Sequence, residues 1–166
     1  MQLITILNPE HVSEEEIAKF RVRESVRAVV YDKDGNIGIL NVLKERYHKL
    51  PGGGIESGEN NEEALRRECR EEIGCDIEIR HEVGQIIEYR KIFQIKQTSF
   101  FYLADIVGEK RQPSYTSEEA DKGFQVEWLS PEEARQILAS DQPLSDEGRL
   151  YIVPRDKALL NALGKR

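Results

Sequence analysis

The amino-acid sequence predicts an α/β or α+β domain, a mixed β-sheet with helices packed on both of its faces. Three features point that way. Apolar runs with strand character lie on both sides of one charged segment with helical spacing, which ends at Gly74. A proline and three glycines, Pro51 to Gly54, separate that segment from the strands before it. Two helical patterns close the chain.

With 166 residues, 39% hydrophobic and 33% charged, the chain suits one globular domain spanning 1 to 166, in which residues 1 to 24 form an N-terminal extension without an assigned role. A packing contact or a homodimer contact are the two roles open to it. The formal net charge of −7 argues against broad binding to nucleic acid, which needs a basic stripe. No apolar stretch approaches membrane-spanning length and no secretory pattern is visible, so a cytoplasmic protein is expected. Cys69 and Cys75 lie roughly 9 Å apart along a helix axis, beyond the ~7 Å that a disulfide allows. Both are read as reduced packing residues.

Taken in order, residues 2 to 7 read as a short strand ended by Asn8-Pro9. Ser13 with Glu16 is a capping-box signal for a helix through about Phe20. Residues 25 to 31 and 37 to 43 read as a hairpin joined by the turn from Asp32 to Asn36. Tyr47 then falls in the loop leading to the glycines, where an aromatic ring either packs or stacks on a base. Residues 76 to 90 form one long strand with a break near Gly84, and 96 to 107 another, its aromatics read as core. Residues 108 to 123 form a polar loop, long enough to suggest a functional or mobile segment. A last strand covers 124 to 129. Ser130 and Pro131 start a helix to about Ala139, and 147 to 163 carry another helical pattern with Pro154 near its start. His11, His48 and His81 have no zinc spacing with each other or with the cysteines.

The chemistry concentrates between residues 51 and 75. Glu68, Glu71 and Glu72 lie at helical spacings that put their side chains on one face, where each like-charged pair costs ~0.2–0.5 kcal/mol. Leu65, Cys69 and Ile73 form an apolar stripe on the neighbouring arc, so one face can pack while the next faces a cleft. Either the carboxylates form a solvated surface, aided by pairs such as Glu63 with Arg67, or they hold a hard cation such as Mg²⁺. The glycines just before them favour a ligand, because they let backbone approach one closely. Other phosphate-binding patterns fail. Gly53 and Gly58 have P-loop spacing, but Glu59 stands where lysine is required. Ser57 occupies the last glycine position of a dinucleotide fingerprint. The segment from Asp32 to Gly35 places its glycine too early for an EF-hand.

Gly53, Glu59, Arg67, Glu68, Cys69, Glu71, Glu72, Gly74 and Cys75 fall without a gap on the pattern G-x5-E-x7-R-E-U-x-E-E-x-G-U, where U is apolar. The stretch thus resembles the box of the Nudix hydrolase family, with cysteine at both U positions. Outside it the similarity is looser, chiefly in the run from Trp128 to Ala134. The resemblance implies an α/β/α sandwich and Mg²⁺-dependent hydrolysis of a nucleoside diphosphate linked to another group, with Mn²⁺ as a substitute ion. It implies Glu68 and Glu72 as metal ligands, Glu71 as a third ligand or the general base, and a carbonyl such as that of Gly53 completing the shell. Arg67 and Glu59 are then structural, holding loop to helix. A further carboxylate is implied in the 108 to 123 loop, where Glu118 and Glu119 are the candidates and Glu119 is the expected catalytic one.

Substrate choice is specified weakly. A nucleoside triphosphate pyrophosphatase, with oxidised dGTP among the candidate substrates, is favoured. Dinucleoside polyphosphate and ADP-ribose hydrolases are the alternatives. For ADP-ribose enzymes a proline is expected near Glu88-Tyr89-Arg90, and none is there. Tyr89 is close to the tyrosine expected for dinucleoside polyphosphates but not clearly in register. A nucleotide-sensing domain without catalysis would be expected to lose a box glutamate, and none is lost.

Overall fold

The computed structural model describes residues 1–164. They form seven strands and five helices, with all the strands in one mixed sheet. In chain order these are β1 (Leu3–Leu7), α1 (Glu14–Ile17), β2 (Arg21–Tyr31), β3 (Ile37–Val42), β4 (Tyr47–Lys49), α2 (Asn61–Ile73), β5 (Asp76–Arg90), β6 (Ile95–Val107), α3 (Ser117–Asp121), β7 (Phe124–Leu129), α4 (Pro131–Ser140) and α5 (Val153–Leu163). The sheet order is β1-β5-β6-β2-β3-β4, with β7 also paired to β3. β2 runs parallel to β6 and β1 parallel to β5, while the remaining ladders are antiparallel.

Alternation along β2 sorts its side chains onto two cores, because successive residues of a strand face opposite ways. Val26, Ala28 and Val30 pack with Ala64, Leu65, Cys69 and Ile73 of α2. Val29 belongs to a second core with Leu138 of α4 and Leu159 of α5. Helices therefore cover both faces, as the α/β/α expectation required. Burial of a side chain such as Leu65 contributes about 1.5–3 kcal/mol, so the apolar stripe of α2 fixes which way its glutamates turn.

The helix starts follow their local signals. Ser13 and Ser130 both form reciprocal capping boxes, with Glu16 and Glu133. α1 is shorter than predicted, ending at Ile17. The long strand predicted over 76 to 90 forms, and its ladder with β6 slips between Ile79 and His81 and between Glu82 and Gly84. Cys69 and Cys75 are buried and unbonded to each other. A π-helical turn, Gly148–Ile152, leads into α5.

Three expectations are corrected. The 32 to 36 turn forms, but the predicted hairpin does not zip up, since β2 and β3 pair only at Tyr31 and Ile37. The edge of β2 beyond that point is taken by the glycine segment: Val26 N–H donates to Gly53 O at 2.9 Å and Ala28 N–H to Pro51 O at 3.1 Å. Tyr47 lies in a strand rather than a loop, buried with Val42, Ile152 and Val153. Residues 108 to 123 are not structureless, because Thr116 and Glu119 form a capping box that starts α3. The preceding loop is fastened as well, with Ser114 N–H donating to Glu71 O at 2.7 Å and Lys110 Nζ 2.7 Å from Asp32 Oδ2.

Candidate active site

A pocket of about 320 Å³ opens where the glycine segment meets α2, the α3 region and α5. Its acidic side is built from one helix turn. Glu68 and Glu72 are separated by four residues, so they stack on one face, and both are buried, at 8% and 2% exposure. The apolar stripe of α2 anchors the opposite arc in the core and turns this face toward the pocket.

The glycines let backbone come close to these carboxylates. Gly52 has φ +133°, a region that side-chain-bearing residues rarely adopt, and a Cβ there would overlap Val26 O. Its N–H donates to Glu72 Oε2 at 2.7 Å. A Cβ on Gly53 would overlap the carboxylate of Glu68. Lys49 Nζ, from β4, donates to Glu72 Oε1 at 2.7 Å.

Arg67 ties loop to helix. Its Nε and Nη2 donate to the two oxygens of Glu59 at 2.7 and 3.0 Å, a bidentate pair. Nη2 also reaches Gly54 O at 3.0 Å, and Nη1 reaches Glu68 Oε1 at 3.0 Å. The hydrogen bonds from Arg67, with one from the Glu56 backbone, pull the Glu59 carboxyl down to about 2. Glu68 shifts the other way: burial and then the charge of Glu72 raise it, against weaker opposite pulls from Arg27 and Arg67.

The structure brings Glu68, Glu72, Gly53, Glu118 and Glu119 to one pocket. Glu71 stands apart. Its side chain is 42% exposed and lies 3.4 Å from Arg67 Nη1, outside the pocket lining. Glu118 pairs with Lys122 at 2.8 Å, and Glu119 Oε2 accepts the Thr116 N–H at 2.8 Å. Among the described residues no three His, Cys, Asp or Glu side chains converge into a ready-made ligand group. Two carboxylates still suit Mg²⁺, which keeps several waters and commonly takes only one or two carboxylates together with substrate phosphates. The donor set fits that ion. It consists of hard oxygens, and Glu68, raised by burial and then by the charge of Glu72, is a carboxylate whose ionised form a bound cation would favour. Gly53 O also keeps one acceptor position after taking the Val26 N–H, since a carbonyl has two.

Several pocket residues were not singled out from sequence. Lys49, Arg27 and Arg155 all line it. For Arg155 a signal exists: the charged run Arg155-Asp156-Lys157 breaks the apolar residues of the last helical pattern. Asp156 is fully buried, with Oδ2 accepting the Leu50 N–H and Oδ1 accepting Arg155 Nε. No local pattern announces Lys49 or Arg27.

Among known proteins, a NUDIX hydrolase from Nitrosomonas europaea superimposes with a TM-score of 0.66 at 17% identity, over 87% of this chain and 90% of that one. The E. coli ORF135 protein gives 0.61 at 22% identity, over 89% and 92%. The MutT protein of Methanosarcina mazei Go1 gives 0.58 at 18% identity, over 89% and 99%. These likenesses establish the shared fold. No curated protein matches the chain. The NUDIX domain family matches residues 21–148, which include the whole Gly53 to Cys75 stretch; by that match the chain belongs to the Nudix hydrolase family and is a pyrophosphohydrolase.

Proposed function

We propose that the protein is a Mg²⁺-dependent hydrolase of nucleoside diphosphates linked to another group, acting on a nucleoside triphosphate to release pyrophosphate. The observation that carries this reading is the buried Glu68–Glu72 pair lining, beside the glycine segment, a pocket that also holds several cationic side chains. Glu68 and Glu72 would hold the metal, with the free acceptor position of Gly53 O beside them. A bound Mg²⁺ neutralises phosphate charge and lowers the pKa of a coordinated water.

The chain's own groups do the positioning. Lys49 and the Gly52 N–H orient Glu72 from both of its oxygens. Arg67 orients Glu68 and the Gly54 carbonyl together, so loop and helix hold one spacing. Two carboxylates compete for the role of general base. Glu71 is half-exposed and steadied by Arg67, whereas Glu119 lines the pocket from α3 with Oε1 free of hydrogen bonds among the described residues. A base must come within hydrogen-bond reach of the water it deprotonates, a condition that favours Glu119.

The test is a turnover panel with Mg²⁺ and identified products, holding the dNTPs, 8-oxo-dGTP, ADP-ribose, a diadenosine polyphosphate and a nucleotide sugar. Wild type is compared with Glu72→Gln, Glu71→Gln and Glu119→Gln. Pyrophosphate release abolished by Glu72→Gln supports the reading, and activity that survives EDTA overturns it. The larger kcat loss between Glu71→Gln and Glu119→Gln identifies the base.

A further inference from the structure

Arg155 sits in the first turn of α5, beyond residues 21–148 of the family match, and is fully buried while lining the pocket. Its Nε donates to Asp156 Oδ1 at 2.7 Å. Nη1 and Nη2 have no hydrogen-bond partner among the described residues. Arg27 of β2 lines the same pocket, buried at 6% exposure, with Nη1 on Val26 O at 2.7 Å and Nε unpartnered. Buried polar groups are ordinarily satisfied, so two incompletely bonded guanidinium groups in one cavity call for a ligand.

We propose that Arg155 and Arg27 form an anion subsite for a phosphate of the substrate other than those held through the carboxylate pair. This rests on reading the pocket as the site of a phosphoric anhydride hydrolase. A guanidinium fork matches phosphate oxygens, and a phosphate accepts from several N–H groups at once. Arg155 keeps its charge: burial pulls its pKa down, but Asp156 and Glu88 more than offset that pull. Burial, and then the charge of Arg155, push Arg27 down to about 10, so it too is cationic at neutral pH.

The pocket thus holds the Glu68–Glu72 pair and the two arginines in one lining. A substrate that engages both carries at least two phosphates. The class is a nucleoside triphosphate or similar polyphosphate, rather than an ester with a single phosphate. Asp156 is a positioning residue here. It grips Arg155 Nε and the Leu50 N–H together, which couples α5 to the segment leading into the glycines.

The test is binding of inorganic pyrophosphate in EDTA, followed by calorimetry on the full chain. Wild type is expected to bind without metal. Arg155→Met should bind about 10- to 100-fold more weakly, the worth of one or two charge-assisted hydrogen bonds. Glu72→Gln should bind as well as wild type or more tightly, because it removes a negative charge from the pocket. Should Arg155→Met fail to fold, Arg155→Lys keeps the charge without the fork and should show an intermediate loss. Wild type that does not bind, or binding that neither Arg155 substitution weakens, overturns the subsite. Anhydride turnover together with Arg155-independent binding would sink the subsite and leave the hydrolase reading standing. Arg155-dependent binding without turnover of any anhydride would do the reverse.

Discussion

Lys49 Nζ and Glu72 Oε1 are 2.7 Å apart, and the two side chains are 11% and 2% exposed. This pair joins β4 to α2 across the pocket wall, and the Gly52 N–H completes the grip on Glu72. Buried ion pairs add little net stability, but removing one partner leaves a bare buried charge.

Lys49→Met should therefore destabilise the metal-free protein by about 3–5 kcal/mol. With saturating Mg²⁺ the loss should shrink, because a bound cation supplies Glu72 with another counter-charge. Urea unfolding in EDTA and in Mg²⁺ checks this. An equal loss under both conditions would mean that no cation reaches Glu72.

Glu68→Gln should separate stability from activity. The folded-state pKa of Glu68 lies above its ordinary 4.5, through burial and then the charge of Glu72. Its ionised form is thus disfavoured by folding. That cost is fully present above the raised folded pKa and disappears as pH falls to 4.5 and below. In EDTA, Glu68→Gln should melt higher than wild type at neutral pH, and the two curves should converge near pH 4.5. Turnover with Mg²⁺ should drop about 10²–10³-fold, as for loss of one electrostatic clamp.

Glu59→Gln should show the opposite pH behaviour. Arg67 depresses the Glu59 carboxyl from 4.5 to about 2. Its stabilising contribution is fully present above 4.5 and is lost as pH falls through about 2. The variant should melt below wild type at pH 7, and the gap should close between pH 4.5 and 2. A gap that persists at the acid end would assign the effect to packing instead of the Arg67 pair.

The adjacent glycines should fail in different ways. Gly52→Ala forces a side chain onto φ +133° and against the Val26 carbonyl, which is backbone and cannot swing aside. A loss of at least about 1–3 kcal/mol in stability is expected. At Gly53 the new methyl meets the end of the Glu68 side chain, which can move. Gly53→Ala should fold nearly as well as wild type yet lose about 10- to 100-fold in turnover, as displaced metal-site geometry does. Melting curves beside kinetics distinguish the two.

Features written in short spans were legible. The glycines, the carboxylates one turn apart and the capping serines all act over a few residues, so spacing alone predicts the helix, the shared face of Glu68 and Glu72 and the starts of α1 and α4. The α3 capping box was legible in the same way at Thr116 and Glu119, but a polar, Pro- and Gly-punctuated segment masked it. The hairpin reading failed for a different reason. A turn and two strand-like runs specify proximity, and the competing hydrogen-bond partner of β2 came from Pro51 and Gly53, more than twenty residues along the chain.

By itself the sequence determined the family, through one contiguous box, and the direction in which the apolar stripe of α2 turns Glu68 and Glu72. Only the tertiary structure decided which distant groups meet at the pocket. Lys49 reaches Glu72 across 23 residues, and Asp156 reaches Leu50 across 106, because the order of strands and helices brings those elements together. Local periodicity is a property of backbone geometry and can be read residue by residue. Pairing between distant charges depends on how the sheet is assembled, and burial then enforces it, since an ionised group removed from water must find its partner wherever the fold has put one.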